Sequence, residues 1–292
     1  MIPKEILQKI RRIQITTSRM VTDVFAGQYQ SVFKGKGMEF YEVREYSPGD
    51  EIRSIDWNVT ARMGNPYVKK FVEERELTVM LLLDMSLSCY FGTVRQLKSQ
   101  LAAELCSVLA FSAIQNNDKV GLITFTDRIE KFVPARKGLR HVLRVIREAL
   151  YFKPQGRGTD IPKAIEYLNR VTTRKTVTFI ISDFYSSDFK KPLSIANKRH
   201  DIIAITITDP REINLPNIGI VKLDDAETQK SFLIDTSDPG LRENFSKNSL
   251  QRLQERHRLF RSINVDNIDI RTDIPYSQSL FKFFRMRERR IR

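Results

Sequence analysis

The pattern of apolar and polar positions predicts alternating strands and helices over most of this 292-residue chain. The first apolar run, 77–83, does not alternate apolar with polar residues, which is typical of a strand buried on both faces. Further strands are predicted at 120–125, 129–133, 176–182, 202–207 and 267–272, with a hairpin within 221–235. Helical spacing predicts helices at 93–116, 138–151, 160–171, 187–199, 239–262 and 276–290. We therefore expect a doubly wound α/β domain with a mostly parallel sheet and helices on both faces.

Two shorter regions precede this domain, which we place at 77–292. Residues 1–33 are predicted to form an amphipathic helix, with helical spacing over 4–30. Residues 34–76 are predicted to form a short β-rich head, because turn signals interrupt them. The head is rich in charged and aromatic side chains, which either form ion pairs that fix it to the main domain or present a docking surface for a partner. These candidate partner-binding residues are Arg44, Asp50, Arg53, Asp56, Trp57 and Arg62.

The formal net charge of +14 favours acidic partners, such as nucleic acid, an anionic membrane surface or an acidic protein. The excess is concentrated at the two ends, in residues 1–37 and 281–292. The sequence contains no zinc-finger, RNP-like or helix-turn-helix signature, so a solvated basic surface is the preferred interpretation and nucleic-acid binding is not expected. We expect the helices at both ends to pack their apolar stripes on the main domain; peripheral membrane contact is the alternative.

The composition favours a cytoplasmic protein. No apolar run approaches the roughly 20 residues that span a bilayer, and the first residues lack the apolar centre of a secretion signal. The two cysteines, Cys89 and Cys106, indicate no disulfide framework and are expected to pack on one helix.

Polar side chains follow three of the predicted elements. Asp84, Ser86 and Ser88 come directly after the first strand, Thr159 follows a glycine-rich loop, and Asp183 ends a later strand. Carboxyl ends of parallel strands meet at one edge of a sheet, so these residues are expected to lie near one another. Hard oxygen donors of this kind suit Mg²⁺, with Mn²⁺ or Ca²⁺ as alternatives. Capping of the following helices is the competing interpretation.

This D-x-S-x-S pattern, with a later G-T-D and a strand-ending S-D, resembles the metal-ion-dependent adhesion site of von Willebrand factor A domains. The resemblance implies that Ser86, Ser88 and Thr159 are direct hydroxyl ligands. It implies that Asp84 and Asp183 bind mostly through water, and that the open position of the ion accepts a carboxylate from a partner protein. Asp160, by contrast, is expected to cap the next helix.

The head and the tail also resemble a bacterial family of unknown biochemistry that couples such a head to a von Willebrand A-like domain. The matching segments are Gly37–Phe40, Arg44–Tyr46, Pro48–Asp50, Ile55–Trp57, Ala61–Arg62, Ile270–Asp273 and Phe283–Arg285. Genes of that family typically accompany MoxR-type AAA+ ATPases, which implies such an ATPase or its client as the partner. Many relatives carry membrane helices before the head, whereas this chain has an amphipathic segment there.

The leading hypothesis is therefore a metal-dependent interaction module, an adaptor rather than an enzyme. A Mg²⁺-dependent hydrolase is the first alternative, and it would need a nucleophile or general base beside the ion. The chain's three histidines are expected on or beside helices away from the three loops: His141, His200 and His257. Nucleic-acid binding through the basic ends is the second alternative.

Overall fold

The computed structural model describes residues 39–72, 76–186, 188–224 and 231–291. Internal contacts divide the chain into two compact units, one being Phe33–Leu77 and the other containing Thr78–Arg292. The helix predicted over residues 4–30 lies outside the described residues.

The smaller unit combines an antiparallel strand pair with a short helix. Its elements are β1 (Glu39–Glu45), α1 (Trp57–Met63) and β2 (Tyr67–Val72). The Asp56 carboxylate accepts hydrogen bonds from the backbone N–H groups of Asn58 and Val59 and so caps α1. The helix ends at Gly64, whose φ of 81° lies in the left-handed region. The sequence pattern predicts a β-rich head with turns and does not reveal α1, because a seven-residue helix is too short for periodicity to mark.

The larger unit is built on a six-stranded sheet and a separate two-stranded hairpin. The strands are β3 (Thr78–Asp84), β4 (Lys119–Phe125), β5 (Ile129–Arg136), β6 (Val177–Ser182), β7 (Asp201–Thr208), β8 (Ile220–Asp224), β9 (Ser231–Asp235) and β10 (Asp266–Arg271). The order across the main sheet is β10–β7–β6–β3–β4–β5, and β8 pairs with β9. In the main sheet β5 runs antiparallel to β4, and the other neighbouring pairs are parallel. The predicted fold class is confirmed.

Helices cover both faces of the main sheet. They are α2 (Lys98–Gln115), α3 (Leu139–Tyr151), α4 (Ile161–Val171), α5 (Lys190–Arg199), α6 (Pro239–Ser262) and α7 (Tyr276–Ile291). On one face Met80 and Leu82 of β3 join a core cluster with residues of α4, α5 and α6. Successive strand residues point to opposite faces, and Leu81 and Leu83 are buried as well. They lie on the face where α2 contacts β3, β4 and β7, so β3 is buried on both faces as predicted.

The start of α2 differs from the prediction. Residues 87–90 form a 3₁₀ turn, and the chain then folds back before α2 begins at Lys98. Gly92 permits this close approach, because a Cβ there would lie 2.5 Å from the carbonyl oxygen of Gln96. Cys89 therefore lies in the 3₁₀ turn rather than on one helix with Cys106. Both thiols are free and buried, which agrees with a packing role.

The basic C-terminal helix packs on the main domain, as expected. Leu280, Phe283 and Phe284 of α7 are buried. Arg290 pairs with Asp266 at 2.9 Å, so basic side chains of α7 also bind the start of β10. None of the described helices combines the length and the apolar composition that crossing a bilayer requires.

His200 is buried at the end of α5 as a neutral base. Its Nδ1 accepts a hydrogen bond from the backbone N–H of Thr176 at 3.3 Å, and its Nε2 lies 3.2 Å from Oδ1 of Asn169. Burial, together with the neighbouring charge of Arg199, lowers the pKa of His200 from 6.5 to about 4. Between these pH values the unfolded chain binds a proton that the folded protein does not.

We expect acid to destabilise the protein through this histidine. Stability is complete above pH 6.5 and is lost as the pH falls towards 4. The loss should be on the order of 3 kcal/mol in the free energy of unfolding. Urea unfolding across this range measures it, with His200→Asn as the control, because Asn keeps an acceptor for the Thr176 N–H but does not titrate. Equal pH slopes for the two proteins would contradict the prediction.

Candidate functional site

The candidate site lies at the carboxyl end of β3, where the strand order reverses. β3 pairs with β4 on one side and with β6 on the other, so the chain winds outward from β3 in both directions. In open α/β sheets, ligands bind outside the carboxyl ends of the strands at such a switch point. The loops after β3 and β6 therefore stand where a ligand is expected.

The first loop, after β3, brings one carboxylate and two hydroxyls together. Asp84 is 1% exposed and accepts hydrogen bonds from the Ser86 N–H at 2.9 Å and from the Ser182 hydroxyl at 2.5 Å. Ser86 Oγ lies 3.0 Å from Ser88 Oγ. Two adjacent ligands of an octahedral ion, each about 2.1 Å from it, are about 3.0 Å apart. The two hydroxyls are hydrogen-bonded to each other in this structure, and their spacing is also compatible with two neighbouring ligands of Mg²⁺.

The third loop, after β6, is held by an unusual backbone conformation. Phe184 has a φ of 57°, a left-handed conformation that bulky residues rarely adopt. Its N–H donates to Ser182 Oγ at 2.9 Å, and the Tyr185 N–H donates to Asp183 Oδ1 at 3.2 Å. Strained backbone of this kind clusters at functional sites. The turn fixes the direction of the Asp183 carboxylate.

The second loop, residues 155–160, is held by the carboxylate of Glu130, which no motif in the sequence marks. Glu130 Oε1 accepts hydrogen bonds from the N–H groups of Gly156 at 2.7 Å and Gln155 at 3.1 Å. Burial opposes the charge of Glu130, but these and neighbouring hydrogen bonds lower its pKa. The Leu87 N–H donates to the carbonyl oxygen of Arg157 at 2.9 Å. The first and second loops are therefore joined directly.

The second loop carries Thr159 to the start of α4. The Asp160 carboxylate that follows it accepts a hydrogen bond from the Lys163 N–H at 2.9 Å. This bond caps α4 and confirms the capping role predicted for Asp160. Thr159 is half-buried beside this cap.

A buried lysine lies against the third loop. Lys98, the first residue of α2, is 1% exposed, and its Nζ donates to Asp183 Oδ2 at 2.8 Å and to Glu212 Oε1 at 2.5 Å. Burial disfavours the charge of Lys98, but the two carboxylates outweigh it and raise the lysine pKa. Lys98 is therefore an ammonium ion inside the protein.

The Lys98 ion pair belongs to a longer polar network. Glu212 Oε2 accepts a hydrogen bond from the Asp209 N–H at 2.8 Å. Asp209 follows β7 and in turn accepts hydrogen bonds from the N–H and hydroxyl of Thr93 and from the hydroxyl of Thr272. The network therefore links the ends of β7 and β10 to the segment before α2 and holds Glu212 beside Lys98.

The two aspartates differ in their electrostatic environment. Burial raises the pKa of Asp84, and the charge of Asp183 raises it further, although the hydroxyl of Ser182 and the N–H of Ser86 act in the opposite direction. The groups that donate to Asp84 are neutral, whereas Asp183 is paired with Lys98. Of the two aspartates, Asp84 is therefore the one whose ionised form a nearby cation would stabilise more.

Residues 42–255 match a protein family described as "Protein of unknown function DUF58". The chain belongs to the DUF58 family. The uncharacterised protein Mb1516 of Mycobacterium bovis is 32% identical over 285 residues, which cover 96% of this chain and 89% of that protein. The uncharacterised protein YeaD of Bacillus subtilis is 23% identical over 181 residues, or 62% of this chain and 43% of that protein.

The DUF58 chain is also similar to solved structures. BatB from Bacteroides thetaiotaomicron has a TM-score of 0.46 and 16% identity, covering 73% of this chain and 99% of BatB. The SpRpn10 VWA domain has a TM-score of 0.39 and 12% identity, covering 70% of this chain and 94% of that domain. The fold assignment itself rests on the strand order and register described above.

The structure of this DUF58 protein brings the first and third loops together at the predicted edge. Asp84, Ser86 and Ser88 form one cluster, Asp183 influences Asp84 electrostatically, and Thr159 lies in the loop joined to the first. Over the described ranges, no three His, Cys, Asp or Glu side chains group as a metal site. An ion here would therefore depend on neutral hydroxyls as well as on carboxylates.

The six candidate docking residues of the head fall into two groups. Arg44 binds Asp50 through two hydrogen bonds of 2.7 and 2.8 Å, and Asp56 caps α1 and pairs with Lys69 at 3.3 Å. The remaining three side chains are exposed: Arg53, Trp57 and Arg62. Ion pairing within the head accounts for the first group, and a docking role stays a prediction for the second.

Proposed function

We propose that this DUF58 protein is a metal-dependent interaction module that binds an acidic residue of a partner protein through a divalent cation. The observation that carries the proposal is the Ser86–Ser88 hydroxyl pair, 3.0 Å apart, beside the buried Asp84 carboxylate. Their spacing fits two neighbouring ligands of Mg²⁺. Neutral donors around Asp84 leave its charge to be balanced by a cation.

The residues have distinct roles in this proposal. Ser86, Ser88 and Thr159 would hold Mg²⁺ or Mn²⁺ through their hydroxyls, and Asp84 would hold it through water, its carboxylate being fixed by Ser182. When bound, the ion supplies positive charge and an open coordination position. Neutral hydroxyl ligands leave much of that charge uncompensated, which favours a carboxylate from the partner.

The surface beside the site supports a protein partner. Tyr90 and Phe91 follow the first loop and are 45% and 41% exposed, and Tyr185 in the third loop is 43% exposed. Aromatic residues are enriched in protein–protein interfaces. The partner that we propose is a MoxR-type AAA+ ATPase or its client in the cytoplasm, following the family resemblance of the sequence motifs.

A titration of the full-length protein with a MoxR-type ATPase tests this proposal. In Mg²⁺ the complex should form, and EDTA or Asp84→Ala should weaken it about tenfold or more, because the partner carboxylate loses the ion. Asp224→Ala, which removes an exposed carboxylate from β8, is the matched control and should leave binding unchanged.

The same titration can reject the site. A complex that forms equally well in EDTA and with Asp84→Ala would show that docking occurs elsewhere. The head would then be the better candidate, and Trp57→Ala, which truncates a side chain that is 67% exposed, would be expected to weaken the complex.

A further inference from the structure

Lys98 is a cation built into the site described above. Its ammonium lies 2.8 Å from Asp183 and 2.5 Å from Glu212, and its side chain is almost completely buried. A lysine at the first position of a helix is unfavourable for the helix dipole, and burial of its charge is costly as well. Two carboxylates and a nearby aromatic ring, Tyr185 at 5.7 Å, offset these costs.

The ion pair involves Asp183, the carboxylate that the sequence motif assigns to the metal. One oxygen of Asp183 binds Lys98, and the other accepts the Tyr185 N–H. Asp84, by contrast, is bound by neutral groups. The two aspartates at the switch point are therefore not equivalent: Asp183 is paired with an ammonium that it shares with Glu212, whereas the groups that donate to Asp84 are neutral.

We infer that Lys98 sets the affinity of this site for divalent cations, because it withholds the Asp183 charge from the ion. This inference rests on the proposed metal site. The affinity of oxygen-donor sites rises with the number of uncompensated carboxylates. Lys98 reduces that number and adds a positive charge of its own. The site then holds its ion weakly and leaves it electron-poor towards a partner carboxylate.

The test is Mn²⁺ binding to the full-length protein, measured by calorimetry. Lys98→Met keeps an unbranched side chain that is one atom shorter and removes the charge, and it should raise the Mn²⁺ affinity about tenfold or more. The double variant Lys98→Met/Asp183→Asn should lose this gain. Asp183→Asn alone should lower the affinity, because it leaves the positive charge of Lys98 near the ion with one carboxylate partner fewer. A structural role for Lys98 alone would not produce this pattern.

A matched control separates the local effect from a change in net charge. Lys222→Met makes the same substitution in an exposed ion pair on β8 and should leave Mn²⁺ binding unchanged. Circular dichroism checks that each variant is folded. If Lys98→Met unfolds, Lys98→Met/Glu212→Gln is measured in its place, since it leaves only Asp183 without its partner.

The outcomes distinguish this inference from the proposed function. If the wild type binds Mn²⁺ and the lysine variants bind it with equal or lower affinity, the inference is overturned. The proposed metal site is not affected by that result. Absence of binding in the wild type and in the lysine variants overturns both. Binding that appears only when Lys98 is replaced supports the inference and overturns the proposed function, because the ammonium then excludes the ion from the native site.

Discussion

The double variant Ser86→Ala/Ser88→Ala should lose Mn²⁺ affinity about 100-fold or more, because it removes both first-loop hydroxyls from the proposed ion. Changes in residues that merely orient metal ligands commonly cost 10–100-fold in affinity, so the loss of two direct ligands should reach at least the upper end. The two hydroxyls are hydrogen-bonded to each other at 3.0 Å, so removing both leaves neither without its partner in this pair. The fold should therefore persist.

Calorimetry with Mn²⁺ measures this effect, and circular dichroism reports the fold. Ser107→Ala/Ser112→Ala is the control, since it removes two buried hydroxyls of α2 that bond to backbone carbonyls. The control should bind Mn²⁺ like the wild type. Undiminished affinity in the first-loop variant would refute the assigned ligands.

Gly156→Ala should destabilise the protein by about 3 kcal/mol, the cost of inserting an atom where none fits. An added Cβ would lie 2.0 Å from Asp127 Oδ1 and 2.1 Å from Thr126 Oγ1. Asp127 is partly exposed and can move, but Thr126 is fully buried and donates a hydrogen bond to Glu130. The second loop must therefore shift, and it carries Thr159 with it.

Urea unfolding measures the loss of stability, and Mn²⁺ titration measures the displacement of the loop. Gly240→Ala is the matched control, because its added Cβ approaches one atom, Asp238 Oδ1, at 3.3 Å. The free energy of unfolding of that variant should lie within about 0.5 kcal/mol of the wild-type value. If Gly156→Ala is as stable as the wild type, the prediction is wrong, and the second loop accommodates the added Cβ without loss of stability.

The architecture of the main domain was predictable because its signals are local. Apolar runs mark the strands, and helical spacing marks the helices; α6 has the predicted bounds of 239–262. The missed elements are those whose signals are weak over a short span. Examples are α1 in the head and the 3₁₀ turn at 87–90, which displaces the start of α2.

The sequence by itself determined the α/β architecture and the placing of Asp84, Ser86 and Ser88 after a buried strand. Only the tertiary structure decided which charges are balanced. Lys98 and Asp183 lie 85 residues apart, Glu130 and Gly156 lie 26 apart, and Ser182 and Asp84 lie 98 apart. A local pattern follows from the chain's own periodicity, whereas the state of a buried charge depends on neighbours that only the folded chain brings within a few ångströms.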